Sequence, residues 1–493
     1  MGSVDAASTA RPLHVVFFPL MSPGHMIPMV DMVRLFALRG VRSSVVTTPG
    51  NAHSVRPAID AAAALGHPLA LHLIPFPDPS ATGLAPACEN LSDVPAAQFD
   101  NFVNALFLFQ APVAALLRDL RPDALVSDSL FTWTADLAAD LGVPRLIFHG
   151  AGAFPQYVIC NLLGHFPFLE SFTMDGLPHP IRLYKDGLPE LMDNFAFLQL
   201  LGEAEAKSYG VVVNTYREME PAYVDYYKKH HPQGLRAWCV GPVSLCCRAA
   251  EEERAKRGGL PATEANRILS WLDGKPAGSV VYLCFGSLCR LGVAQLRAIA
   301  KGLEASGRAF LWVVRRDAEG GLVAEEKWMP DGFEERVRGR GLLVRGWAPQ
   351  LAVLGHAAVG WFVTHCGWNS LQEAVCAGVP MLTWPLFHEQ FINQELVVEV
   401  MGAGLRVWEG LRRCRSPEQT PELVSAEEVE VAVRKATGGG EDAEAVRRRT
   451  KEYGEAARKA VEEGGSTHED VTNLIKELEA VRLQKAGQGD AAQ

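Results

Sequence analysis

The 493-residue chain carries 57 acidic residues against 47 Lys and Arg, a formal net charge of −10, with 48% hydrophobic and 21% charged residues. That balance excludes nucleic acid and anionic membrane surfaces as bulk partners, while leaving room for a local anion site built from a few aimed donors. At about 150 residues per domain, the length corresponds to two or three domains with material for two buried cores.

In chain order, residues 13–20 (LHVVFFPL) are a short apolar run rich in β-formers and read as a buried parallel strand. Residues 21–25 (MSPGH) are turn chemistry, residues 26–38 a helix closed by Gly40, and residues 41–47 a second strand. The βαβ pattern returns with a strand at 124–128 (ALVSD), a helix at 132–141 ending at Gly142, and a strand at 145–148. Residues 210–214 (GVVVN) and 236–240 supply the last strands of this half. The stretch 249–263 (AAEEERAKRGGLPAT) is charged and has no apolar period; it reads as a surface linker, with a solvated helix as the other reading.

A second series follows, with strands at 279–284 (SVVYLC), 309–314 (AFLWVV) and 341–345 and a helix at 293–306. A further βαβ unit runs through 360–365, 370–377 and 379–386. The tail from Val424 is helical and charged, and Ser466-x-x-Glu469 predicts a capping box opening a last helix that ends near Leu483. Two α/β halves imply two doubly wound domains, over residues 1–248 and 266–466, joined by a linker at 249–265. Ligands of such sheets sit at the carboxyl ends of the strands, so two facing domains make a cleft.

The ten cysteines include no C-x-x-C and predict free thiols in a reducing compartment. Residues 1–10 have no basic n-region, and the apolar run 13–21 falls far short of the ~20 residues of a membrane span. The expectation is a cytoplasmic chain without a membrane span.

Several chemistries lose support. The chain has no G-x-x-x-x-G-K-[ST] and no G-x-S-x-G. Gly150-Ala151-Gly152 and Gly402-Ala403-Gly404 each lack the third small residue of a dinucleotide fingerprint. His388-Glu389 fails as H-E-x-x-H, and no metal site is expected.

Residues 347–390 read WAPQLAVLGHAAVGWFVTHCGWNSLQEAVCAGVPMLTWPLFHEQ. Within them a strand ends at Thr364-His365, Cys366-Gly367 makes a turn, and Trp368, Asn369 and Ser370 start a helix. A helix N-terminus presents free N–H groups and a positive dipole end, suited to phosphate. Glu373, four residues past Asn369, shares its helix face and can accept hydrogen bonds from a ribose. Taken singly, Asn369 and Ser370 are equally plain caps, and Trp347 a core residue.

His25 follows the first strand and precedes a helix, at a carboxyl strand end. Its position at a helix N-terminus predicts a neutral ring near the ordinary pKa of ~6.5, matched to deprotonating an alcohol or phenol. Asp128 ends another strand and can accept the other ring N–H, fixing tautomer and orientation. Alone, His25 reads as a loop cap and Asp128 as a strand-end residue.

Segment 347–390 resembles, over its whole length, the signature of plant secondary product glycosyltransferases. The wider chain is similar to the plant UDP-dependent glycosyltransferases in its PLMSPGHMIPM, PDALVSDSLF, VVYLCFGS and GGSTHEDV stretches. The resemblance implies a GT-B fold: two facing Rossmann-like domains, with the last helix (467–484) packing back on the first. It implies His25 as base and Asp128 as its partner. It implies that Trp347 and Ala348 hold uracil, that Gln350 and Glu373 hold ribose, and that Ser287, His365, Asn369 and Ser370 hold the diphosphate. Trp368, Glu389 and Gln390 would reach the sugar, with Gly24 beside the donor. A terminal Gln goes with glucose, so UDP-glucose is the expected donor, a co-substrate with no cofactor or metal needed.

The implied reaction is inverting transfer of glucose to a hydroxyl of a small lipophilic acceptor, giving a β-O-glucoside, by a monomer. Flavonoids, other phenolics, terpenoids and hormones remain open as acceptors. Phe131, Phe154 and Phe387 are the candidate acceptor lining, while Phe107 and Phe109 read as core. Trp361 stands where the family usually has a small residue, and Gln372 where an apolar one is common. Two other readings are a UDP-sugar-binding protein without transferase activity and, more weakly, a hydride-transfer enzyme.

Overall fold

A computed structural model of the chain describes residues 11–86, 88–162, 169–174, 176–230, 236–246, 262–315, 325–410 and 423–490. The first sheet has seven parallel strands: β1 (His14–Phe18), β2 (Arg42–Thr47), β3 (Leu69–Leu73), β4 (Ala124–Asp128), β5 (Arg145–His149), β8 (Gly210–Val213) and β9 (Arg236–Cys239), ordered 3-2-1-4-5-8-9. An antiparallel hairpin, β6 (Ser171–Met174) with β7 (Ile181–Tyr184), stands apart from it. The second sheet has six parallel strands: β10 (Val280–Cys284), β11 (Ala309–Val314), β12 (Gly341–Arg345), β13 (Val359–Thr364), β14 (Met381–Thr383) and β15 (Gly404–Arg406), ordered 12-11-10-13-14-15. The inner strands are near-continuous apolar runs because helices cover both sheet faces. Two such doubly wound units form the GT-B architecture.

Each order reverses once, between β1 and β4 and between β10 and β13. In open α/β sheets the crevice at such a reversal receives ligands. Phe18 pairs with Ser127 at the first reversal and Cys284 with Thr364 at the second. His25 and Asp128 therefore leave one crevice, and Ser287 and His365 the other.

A buried cluster runs through the contact between the units, joining Phe154, Val158, Tyr216 and Tyr223 to Trp368, Leu371 and Val375. The last helix, Ser466–Asp490, places Val471, Leu474 and Leu478 at i, i+3, i+7 against Leu13, Met29 and Phe36 of the first unit.

Some sequence expectations are corrected. The strand expected over 379–386 is only β14, because the chain leaves the sheet at Trp384, whose N–H bonds to Thr364 O at 2.8 Å, and Pro385 has no donor. The capping box at Ser466 does not form. Ser466 already lies inside the helix, and its hydroxyl donates to Glu218 at 2.7 Å. The helix also runs past Leu483 to Asp490. Of the linker expected at 249–265, residues 249–261 lie outside the described residues, and Ala262 opens the helix Ala262–Asp273. Among the described residues no single helix is long and apolar enough to cross a membrane.

Candidate active site

His25 sits in the first turn of the helix Pro23–Leu38, which Pro23 starts. Its Nδ1 lies 2.6 Å from Oδ2 of fully buried Asp128. The other carboxylate oxygen accepts the Leu130 N–H at 3.2 Å, so both oxygens of Asp128 are held. An ionised Asp128 places the proton on Nδ1 and leaves the Nε2 lone pair available. Burial alone would lower the pKa of His25, but the Asp128 charge and hydrogen bond, with the Glu389 charge, outweigh it and raise the pKa above 6.5. The expectation of a ring held near 6.5 by the helix N-terminus is corrected: the two carboxylates dominate.

On the other side of the cleft, the helix Trp368–Ala377 begins at Gly367 with no side chain capping it, so its first N–H groups have no side-chain acceptor. His365 lies immediately before this turn, its ring between Gly286 and Gly367; a Cβ on either glycine would overlap the imidazole. Burial pushes the His365 pKa down to about 4. The ring is thus neutral at pH 7 and lies beside the Cys284 main chain. Ser287 follows β10, its carbonyl held by Arg315. Gln350 donates to Ser370 Oγ at 3.0 Å and to Glu373 Oε2 at 2.9 Å, and accepts from Tyr282 at 3.4 Å. The structure thereby brings Gln350, Ser370 and Glu373 into one polar group, with half-buried Trp347 and buried Ala348 at its edge.

The two halves interlock around Asn214, which follows β8. Trp368 Nε1 and Gln372 Nε2, one helical turn apart, both donate to the Asn214 carbonyl at 2.7 Å. This gives Gln372 its polar partner. Trp361, in contrast, is buried in the core of the second unit, with Arg447 over its ring at 5.5 Å. Asn369 Nδ2 donates to the Gly24 carbonyl at 2.5 Å, and its Oδ1 accepts from Asn214 Nδ2 at 3.4 Å. The Trp368 indole is 2% exposed and its N–H bonds across the interface, which leaves the main chain of this residue as the part that could reach a sugar.

The Gly-x-Gly pair after β5 also belongs here. A Cβ on Gly150 would lie 2.9 Å from Cε1 of His25, and one on Gly152 would overlap the Trp368 ring. These glycines let two rings approach the backbone, a role unrelated to nucleotide binding.

In the helix Gln390–Glu395, Asn393 donates to Glu389 Oε1 at 3.3 Å and to Cys366 O at 2.9 Å. Gln390 Oε1 accepts the main-chain N–H groups of Leu386 at 2.9 Å and Phe387 at 3.2 Å. That leaves the amide nitrogen as the donor of this side chain. His388 precedes them, its N–H and Nδ1 both directed at Glu190. Burial acts to lower the His388 pKa, and the Glu190 hydrogen bond and charge raise it above the ordinary value.

Two of the three acceptor candidates are corrected. Phe131 is fully buried and stacks on Phe18 at 4.0 Å between centroids, and Phe154 is fully buried edge-on to Tyr223 at 4.6 Å. A ring at a strand end folds onto the apolar sheet face when one is available, because burying it there removes apolar area from water. Phe387 stays half-buried against His388. Phe109 is core as expected, but Phe107 is exposed. Asn214, Gly150, Gly152, Asn393 and Glu190 were not expected as site residues from the sequence. The signals available were the Asn closing GVVVN and the failed Gly-x-Gly fingerprint.

The family model of UDP-glucoronosyl and UDP-glucosyl transferases matches residues 265–411. The scopoletin glucosyltransferase of Nicotiana tabacum is 41% identical over 479 residues, covering 94% of this chain and 98% of that protein. The UDP-glucose flavonoid 3-O-glucosyltransferase 7 of Fragaria ananassa is 42% identical over 487 residues, covering 95% and 97%. The UGT of Glycyrrhiza uralensis solved with glycyrrhetinic acid 3-O-monoglucuronide superposes with a TM-score of 0.89 at 36% identity, covering 98% of this chain and 99% of that one. With relatives this similar along nearly their entire length, the chain belongs to the plant UDP-glycosyltransferases and is an enzyme of that family.

Proposed function

We propose that this enzyme transfers glucose from UDP-glucose to a hydroxyl of a small lipophilic acceptor, with phenolics such as flavonoids first in line, inverting the anomeric carbon to give a β-O-glucoside. The observation that carries the reading is the His25–Asp128 pair at 2.6 Å, tied through Gly24 to Asn369 on the helix start opposite. His25 Nε2 takes the acceptor proton as the oxygen attacks the anomeric carbon from the face away from UDP. The bond from that carbon to the diphosphate oxygen breaks, and its electron pair leaves with UDP. The uncapped helix start and the neutral His365 N–H stabilise the charge growing there. Asp128 holds the ring and stabilises the imidazolium that forms.

Trp347, Ala348, Gln350 and Glu373 take the nucleoside, Ser287, Asn369 and Ser370 the diphosphate, and Glu389 and Gln390 the sugar. Gln390 and the names of the tobacco and strawberry relatives support glucose as the donor sugar and phenolics as acceptors. Proton, nucleophile and leaving group all balance with UDP-glucose as co-substrate, so the reaction as written calls for no cofactor or metal. A cytoplasmic monomer is the setting we assign.

The test is a panel of phenolic, terpenoid and hormone acceptors with isotope-labelled UDP-glucose, read by mass spectrometry, with the product anomer assigned by NMR. A β-glucoside is expected, together with a shift toward UDP-galactose in Gln390→His. An α-linked product overturns the inverting mechanism, and an unaltered donor ratio in Gln390→His removes the basis for glucose. UDP-glucose binding with no transfer to any acceptor removes the acceptor class.

A further inference from the structure

His388 is one of three non-glycine residues with positive φ among those described, at +55°. Such a conformation is uncommon for a side chain of this size and persists when neighbouring contacts hold it. Here the contacts come from the other domain. The main-chain N–H of His388 lies 3.1 Å, and its Nδ1 3.0 Å, from the same Oε2 of Glu190, a residue 198 positions earlier. Glu190 opens the short helix Glu190–Asp193, just after the hairpin β6–β7 on the acceptor side. The left-handed turn is what aims an N–H and a ring nitrogen of one residue at a single oxygen.

The next two residues are Glu389 and Gln390. Gln390 closes the turn from inside by accepting from Leu386 and Phe387, and Asn393 holds Glu389 from the helix Gln390–Glu395. Glu190 holds the same turn from outside. Both members of the pair are partly exposed, at 44% and 39% for the side chains of His388 and Glu190. Charge attraction between them is therefore screened, and the geometric constraint is the larger effect.

We propose that Glu190 is a positioning residue for the donor sugar: by accepting both donors of His388 it sets the turn that presents Glu389 and Gln390. The proposal rests on the reading of Glu389 and Gln390 as the sugar-facing pair. Its consequence is selective. The residues assigned to the nucleoside, Trp347, Ala348, Gln350 and Glu373, come from other segments, so losing Glu190 weakens the hold on UDP-glucose while sparing UDP.

The experiment compares dissociation constants for UDP-glucose and UDP, together with kcat, in Glu190→Ala, Glu190→Gln, His388→Gly and Gln390→Ala of the full chain. Glu190→Ala is expected to weaken UDP-glucose roughly tenfold, the scale of two lost hydrogen bonds, with UDP unchanged within about twofold. Glu190→Gln keeps an accepting oxygen and is expected to bind nearly as the native enzyme does. His388→Gly, which suits the positive φ and keeps only the main-chain donor, is expected to fall between. Equal weakening of both ligands in Glu190→Ala, or no weakening of either, while Gln390→Ala selectively loses UDP-glucose, overturns the proposal and leaves the sugar reading intact. If Gln390→Ala shows no preference between the ligands, the sugar reading itself fails and the proposal falls with it.

Discussion

Asn369 donates its carboxamide N–H to the carbonyl of Gly24 at 2.5 Å, which ties the start of the donor-side helix to the residue immediately before His25. His25 is thus positioned from both sides, by Asp128 within its own unit and, through Gly24, by the start of the helix Trp368–Ala377. Asn369→Ala is expected to lower kcat about tenfold, the order of one partly buried hydrogen bond to the residue before His25. Asn369→Asp is expected to do worse, since a carboxylate oxygen would then face a carbonyl oxygen. Steady-state rates decide; an Asp variant as active as the native enzyme contradicts the role.

The pH profile reports His25. A general base works only when neutral, so kcat/KM rises with pH through a midpoint above 6.5, because Asp128 and Glu389 favour the protonated ring. Asp128→Asn removes the larger raising charge and leaves burial, so the midpoint moves to lower pH while the plateau rate falls. His25→Ala removes the limb along with roughly 10²–10⁴ of the rate, with UDP affinity unchanged. A midpoint that stays put in Asp128→Asn would falsify the pairing.

Gly152→Ala drives a methyl into the Trp368 ring at the domain contact. Overpacking of this kind costs about 1–3 kcal/mol, visible as a lower Tm by calorimetry. Gly150→Ala meets His25 instead. That variant is expected to lose activity with a smaller loss of Tm, so the two substitutions separate docking of the domains from placement of the base. Equal effects on both readouts contradict that separation.

Trp368→Phe deletes the N–H that reaches Asn214 and replaces the buried indole by a smaller ring. The expected cost is about 2–4 kcal/mol of stability, a lost hydrogen bond plus the cavity left by the smaller ring, with Gln372 still bonded to the carbonyl and the KM for UDP-glucose unchanged. A large rise in that KM at constant stability would return the indole to the sugar site.

The two-unit fold was legible because its strands are short apolar runs punctuated by Gly and Pro. Residues 124–128, 309–314 and 341–345 coincide with β4, β11 and β12. The strand β3 was missed because LALHL is mostly half-buried and has no strong pattern. The hairpin β6–β7 was missed because four-residue strands leave little periodicity to read. The pair His25–Asp128 and the group Gln350, Ser370 and Glu373 come together in space where the signature implied. What could not be read were side-chain directions set by distant partners. The Trp368 indole turns toward a residue 154 positions away, and the hydroxyl of Ser466 goes to Glu218 instead of capping its own helix. Phe131, just after β4, and Phe154, in the helix Ala153–Leu162, each had two places to go and took the core.

The main-chain carbonyl of Asn214 receives the Trp368 and Gln372 donors, and a carbonyl exists whatever side chain the position bears. These two bonds therefore constrain lettering on one partner only: the helix Trp368–Ala377 must keep its indole and its carboxamide, while the residue after β8 meets them with bare peptide and turns its own side chain to Asn369. Most of the first unit can thus drift in sequence and still seat on an unchanged second unit through these bonds.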